Sequence, residues 1–211
     1  MTSPKSVAGV ILAAGKSERM GSPKSLLRIG NTTFLEHIDL QARSGGLSPV
    51  RIVLGHDAEK ITQALPQLAD RIVLNPNYEL GQLSSLVWGL EALESSLIDG
   101  LMVLLVDHPM ITTGLIRTLV RAFSSGTHLV IIPTFQGRRG HPVIFDRALF
   151  AELKGIPPGQ GAAEVVRGHG DGVLHVEVGN EGVLIDIDTP EVYRLHERKL
   201  AEFTTNGVAH A

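Results

Sequence analysis

The sequence predicts an α/β protein with a Rossmann-like, mostly parallel, doubly wound sheet and a small mixed-strand extension. Three observations predict it. Apolar strand runs alternate with helical spacings as far as residue 133. Those runs are continuously apolar, as strands covered by helices on both faces must be. After residue 133 the rhythm breaks into short strand segments separated by Gly- and Pro-rich turns.

The elements follow in order. "VAGVIL" (7–12) is the first strand. "TTFLEHIDLQARS" (32–44) is a helix, with Thr33 and Glu36 spaced as a capping box and Gly45-Gly46 as the stop. "VRIVLG" (50–55) is a strand, "DAEKITQAL" (57–65) a short helix opened by Asp57, and "RIVLN" (71–75) a third strand. "SSLVWGLEALES" (84–95) reads as a helix, and "LMVLLVD" (101–107), the most apolar strand, ends in a carboxylate. "TTGLIRTLVRAF" (112–123) is a helix capped by Thr112 or Thr113, and "HLVIIP" (128–133) a strand. Beyond it, "TFQGRRGHPVIF" reads as a strand pair around a Gly/Arg turn and "PPGQG" as a loop. "VLHVEV" and "VLIDI" read as strands, and "TPEVYRLHERKLAEF" as a closing helix. No linker or repeat divides the chain. Residues 1–200 are read as one domain, and 201–211, ending in "TTNGVAHA", as a tail expected to fray.

Composition removes several classes of function. The chain has 211 residues, of which 43% are hydrophobic and 19% charged, so it can bury a core. Its formal net charge of −3 gives no general field for nucleic acid. With no cysteine there are no disulfides, iron–sulfur clusters or thiolate metal sites. "SVAGVILAAG" is too short to span a membrane, and nothing resembles a signal peptide. A cytoplasmic protein with neither nucleic-acid nor membrane partners is expected.

"GVILAAGKSERMGSPK" (9–24) then carries the first chemistry. A strand breaks at small residues where α/β folds bind ligands, at the carboxyl ends of the strands. Leu12 ends the apolar run, and Ala13, Ala14 and Gly15 leave backbone amides open to an oxyanion. Neither GxGxxG nor the P-loop pattern is present, since Val10 stands where the first P-loop glycine belongs. Two cations, Arg19 and Lys24, with free amides suit a triphosphate better than a monoanion. The plain alternative is a βα turn with solvated charges.

"LAAGKSERMGSPK" resembles the LAAGxSxRMGxxK signature of the MobA-like nucleotidyltransferases, and in particular the molybdenum cofactor cytidylyltransferase branch. The resemblance continues through "NPNYELGQLSSLVWGL", "LLVDHPMI", "GRRGHPVIF", "GQGAAEVV" and "IDIDTPEVY", from residue 7 to about 195. It implies that the first loop wraps a nucleoside triphosphate, with Arg19 and Lys24 on the phosphates and Ala13, Ala14 and Gly15 in close backbone approach. Relatives that prefer GTP usually carry glycine at the third loop position, so Ala14 leans towards CTP. The family's aspartate after the fourth strand is Asp107, expected to hold Mg²⁺ with phosphate oxygens and water. The glutamine that commonly follows it is His108 here, which leaves that position's role open.

Asp186 and Asp188 lie two apart in "LIDIDTPEV", on one side of the expected strand. Asp188 with Glu191 reads as a capping box, so Asp186 is expected to be the second Mg²⁺ ligand. Ser84 and Ser85 stand at a helix start behind Gly81, where they can cap the helix or read a base or ribose, and Asn75 ends a strand at the same edge. Trp88 is read as core. Arg138, Gly140 and His141 belong to a basic turn that the resemblance places on the acceptor side. The remaining histidines show no zinc spacing.

The expected reaction is attack by an acceptor phosphate on the α-phosphorus of an NTP, with loss of pyrophosphate. Arg19, Lys24, Asp107 and Mg²⁺ would supply charge neutralisation. By resemblance the acceptor is molybdopterin, or its molybdenum complex, and a molybdoenzyme or its maturation factor is a further partner. A sugar phosphate or other small phosphorylated acceptor is the second reading, and a non-catalytic cofactor-binding chaperone the third.

Overall fold

The computed structural model describes residues 5–157 and 159–206. Its parallel half contains β1 (Val7–Ala13), β4 (Val50–Leu54), β5 (Ile72–Leu74) and β6 (Gly100–Leu105), in the order β6-β1-β4-β5. A two-residue hairpin, β2 (Arg28–Ile29) with β3 (Thr32–Thr33), stands apart from this sheet. The mixed half contains β7 (Val130–Phe135), β8 (Arg138–Arg139), β9 (Val143–Asp146) and β10 (Val173–Glu177). β9 runs antiparallel to both β6 and β7, while β10 is parallel to β7 and β8 pairs back onto it. The late strand is therefore no edge extension. It lies between the two halves of one eight-stranded sheet.

Both faces are covered, as the apolar runs require. Val7, Ile11 and Ala13 face one layer, built from α1 (Phe34–Ser44), α2 (Ala58–Ala64) and α4 (Thr113–Ser124). Ala8, Val10 and Leu12 face the other, built from α3 (Gln82–Glu91), α5 (Phe150–Gly155) and α6 (Ala163–Gly168). The period of two along β1 thus feeds two cores. Met20, Ile29, Phe34, Met110, Ile187 and Leu200 form a third, smaller cluster, which ties the opening loop to the closing helix α7 (Pro190–Asn206).

Local chemistry explains the ends. The Thr33–Glu36 capping box forms, and Thr112 Oγ1 accepts from Leu115 N at 3.1 Å to cap α4. Asp57 precedes α2 but makes no cap bond; its backbone is left-handed, at φ 54°. α3 begins at Gln82, two residues before the expected start, after Gly81 turns the chain at φ 96°. Ser84 is therefore inside the first turn rather than at its cap. The short helices α5 and α6 follow no clear periodicity in the sequence and were not expected.

The expected strand "VLIDI" does not form. Asn180 accepts from Gly182 N at 2.8 Å and folds Glu181–Leu184 into a 3-10 turn. The extended residues that follow bond elsewhere, with Ile187 N donating to Asp107 O at 2.7 Å. The expected Asp188–Glu191 capping box is absent too. Thr189 caps α7, its Oγ1 accepting from Val192 N at 3.3 Å, so Asp188 lies one residue too early. α7 itself reaches Asn206, beyond the expected Phe203; residues 207–211 of the expected tail lie outside the described residues.

Candidate functional site

The opening loop leaves β1 at Ala13 and does not enter a helix at once. Ser17, left-handed at φ 52°, accepts from Met20 N and Gly21 N through its carbonyl, and from Lys24 N through Oγ at 3.2 Å. Among the described residues the amides of Gly15, Lys16 and Ser17 donate to no protein acceptor. A Cβ added at Gly15 would meet nothing within 4 Å. Gly15 and Ser17 line a cavity of about 220 Å³, together with Leu12, Ala13, Ala14, Lys24, Ser85 and Asp107.

The loop's three cations each meet a carboxylate from another element. Lys16 Nζ lies 2.9 Å from Glu79, and Arg19 pairs with Asp188. Lys24 Nζ contacts Asp188 and lies 3.3 Å from Asp107 Oδ2. The Lys24 side chain is only 12% exposed, so it is not the solvated loop cation that its sequence position suggests. Its hydrogen bond, aided by its charge and that of Arg19, holds the Asp188 carboxyl below the usual range against the opposing effect of burial. The Ile187–Asp107 backbone bond brings these two carboxylates together. Asp186, by contrast, is exposed and pairs with neither Lys24 nor Arg19.

Asn75 is 2% exposed, and its amide donates to Ser84 Oγ (2.9 Å) and Ser85 Oγ (3.0 Å) while its oxygen accepts from Asn77 N (2.8 Å). Ser84 Oγ also donates to the carbonyls of Asn77 and Gly81. Asn75 and Ser84 thus shape the start of α3, and Ser85 is the member of the expected trio that lines the cavity.

A second cavity of about 530 Å³ shares Leu12, Leu105, Gly81 and Gln82 with the first. Val103, Ile132, Val143 and Phe145 help form its apolar wall; Arg139, His141, Gln160 and Arg167 supply polar groups. Of the expected acceptor residues, Gly140 and His141 line it, but Arg138 does not. Adjacent strand residues face opposite ways, so the neighbour Arg139 takes the place foreseen for Arg138. Gly140 is required by packing: a Cβ there would lie 2.3 Å from Val183 O.

His141 lines the larger cavity, and His108, which follows Asp107 of the smaller one, lies against it with ring centres 5.0 Å apart. Burial pushes His141 down to about 4, aided by His108 and opposed by Asp107. Burial also lowers His108, against the nearby carboxylates. Sequence spacing gave no sign of this pair, because its members meet only through the β6–β9 seam.

Among the described residues no group of three or more His, Cys, Asp or Glu is placed to hold a metal by itself. Among the same residues no helix is long and apolar enough to cross a membrane. The two carboxylates that share the Lys24 ammonium are a pair able to share a cation.

The chain resembles known proteins over most of its length. It is 29% identical over 197 residues to "Nicotine blue oxidoreductase" of Paenarthrobacter nicotinovorans, covering 90% of this chain and 96% of that protein. It is 30% identical to "Purine catabolism protein PucB" of Bacillus subtilis (strain 168), covering 92% and 97%. A "Probable molybdenum cofactor guanylyltransferase" of Bacillus cereus (strain Q1) is 30% identical, over 63% of this chain and 64% of that protein. Among solved structures, Rv0371c of Mycobacterium tuberculosis H37Rv matches with a TM-score of 0.81 at 26% identity, covering 92% of this chain and 98% of that one. A structure of Rv0371C in complex with manganese matches at 0.75 and 25%, covering 93% and 98%. Residues 9–173 match the model of the MobA-like NTP transferase domain, so with its α/β sheet and its loop-lined cavity this chain belongs to that family of nucleotidyltransferases.

Proposed function

We propose that this chain transfers CMP from CTP to the phosphate of a molybdopterin-type acceptor, with Mg²⁺ and release of pyrophosphate. The observation that carries the reading is that the smaller cavity, lined by Lys24 and Asp107, adjoins the larger one through Leu12, Gly81, Gln82 and Leu105. The smaller cavity offers unpaired amides and buried cationic charge, as a triphosphate needs. Ala14 adds a methyl group to its wall, which supports CTP over GTP. The larger cavity suits an acceptor with an apolar body and an anionic group, bound near Arg139 and His141. That balance favours a flat heterocycle such as a pterin, whose ring faces suit the apolar wall and whose polar edge has Arg139, Gln160 and Arg167 as partners.

Asp107 would hold Mg²⁺ with Asp188 rather than with the expected Asp186, because Asp107 and Asp188 already share one cation. The ion would supply charge neutralisation between two anionic reactants. Lys24 and Arg19, released from their carboxylates, would then face the phosphates. A redox reading is favoured by the relative named as an oxidoreductase and by the apolar cavity. It requires consumption of a reduced nicotinamide cofactor instead of pyrophosphate release.

The test is pyrophosphate release with each NTP, with and without molybdopterin, and NADPH oxidation in parallel. Release with CTP and molybdopterin is expected, and Asp188→Asn should reduce it on the order of a hundredfold while Asp186→Asn stays near the parent. A clear GTP preference overturns the donor, and NADPH oxidation without pyrophosphate overturns the reaction. A dead Asp186→Asn beside a normal Asp188→Asn restores the original ligand assignment.

A further inference from the structure

His108 and His141 have no assigned task in nucleotide binding, and their environment suits a different ligand. Both rings are largely buried, and the Nδ1 atom of each is buried with no hydrogen-bond partner. Leaving such an atom unpaired is unfavourable, and in native proteins it calls for a bound water or ion. The surroundings decide which kind of ligand fits. The carboxylates of Asp107, Asp186 and Asp188 stand near His108, and that of Asp107 near His141, against the single ammonium of Lys24, so a cation suits the place better than an anion. Uncharged imidazoles favour zinc-like transition metals, whereas Mg²⁺ prefers oxygen.

The spacing agrees. Two imidazoles bound to one ion at about 2.0–2.1 Å have ring centres about 5 Å apart. Here they are 5.0 Å apart, with the planes at 52°. We propose that His108 and His141 together bind a divalent transition-metal ion beside the larger cavity, separate from the Mg²⁺ position proposed at Asp107 and Asp188. No third side chain among the described residues completes the set. The remaining coordination positions therefore belong to water or to donor atoms of the acceptor, and the ion would anchor the acceptor beside the reacting phosphates.

This proposal does not depend on the transfer reading, because its test needs no nucleotide. Co²⁺ is titrated into the full chain in excess Mg²⁺, and its visible absorption is followed. A single equivalent should bind with the spectrum of imidazole-ligated Co²⁺ and be displaced by Zn²⁺. His108→Gln and His141→Gln should each weaken binding on the order of tenfold or more, and Asp107→Asn should weaken it less than either. Unweakened binding in both histidine variants, or loss of the signal to Mg²⁺ or in Asp107→Asn, overturns the proposal. Proton NMR of the unmutated chain tests the same point if a variant fails to fold. Co²⁺ should broaden the ring signals of His108 and His141 first, and broadening confined to other histidines also overturns the proposal.

Discussion

Lys24 touches two carboxylates at once, and that gives its replacement two effects of opposite sign. Lys24→Met should slow turnover on the order of tenfold to a thousandfold, because charge stabilisation at the phosphates is lost. It should also bind Mn²⁺ more tightly than the parent when no nucleotide is present. Without the ammonium, Asp107 and Asp188 repel each other and take up either a proton or a metal ion. A Mn²⁺ titration followed by electron paramagnetic resonance reads this directly, and equal affinity in the two proteins would show that Lys24 does not compete for the metal position. The sequence singled out Lys24 and Asp107, because Lys24 closes the loop motif and Asp107 follows the most apolar strand. It did not show Asp188. Asp, Thr and Pro all favour helix starts, and only the hydrogen bond to Thr189 Oγ1 decides which residue is the cap. The arginines pose a similar problem: which of the adjacent Arg138 and Arg139 faces a cavity depends on register.

Elements meet at the site through close backbone contacts. Gly140 lies against Val183, with Gly140 N donating to Pro133 O (2.8 Å) and His141 N to Val183 O (2.9 Å). Gly140→Ala would drive a methyl group into the Val183 carbonyl, which already accepts from His141 N. The expected loss is about 1–3 kcal/mol, read as a lowered urea midpoint with an unchanged slope. An unchanged midpoint would mean that the 3-10 turn at Glu181–Leu184 yields freely. The parallel half was legible because its strands are buried on both faces and read as continuous apolar runs. The mixed half was less so. β9 has only four residues, and its place between β6 and β7 is set by tertiary pairing, which no local pattern encodes.

At the scale of the whole molecule, α1 links the opening loop to the segment that follows Asp107. His37 Nε2 lies 3.3 Å from Ile111 O, and Gln41 Oε1 accepts from Thr113 N (2.7 Å) and Oγ1 (2.8 Å). Burial holds the His37 pKa below its ordinary value, against the opposing effect of the Ile111 carbonyl. The unfolded chain therefore takes up this proton first as pH falls. His37's contribution to stability is complete above the ordinary histidine range, about 6.5, and declines as pH drops below it towards the folded value. Urea midpoints at pH 8 and pH 5 should fall further in the parent than in His37→Gln, and equal falls would remove His37 from the acid response. The order of the strands has one more consequence. The open loop amides, both carboxylates' backbone tie and the α1 link lie outside residues 138–167, whereas Arg139, His141, Gln160 and Arg167 of the larger cavity all lie within them. On the proposed reading, a lineage would change its acceptor by rewriting the polar groups of that one stretch of gene while the loop that meets the donor is inherited intact.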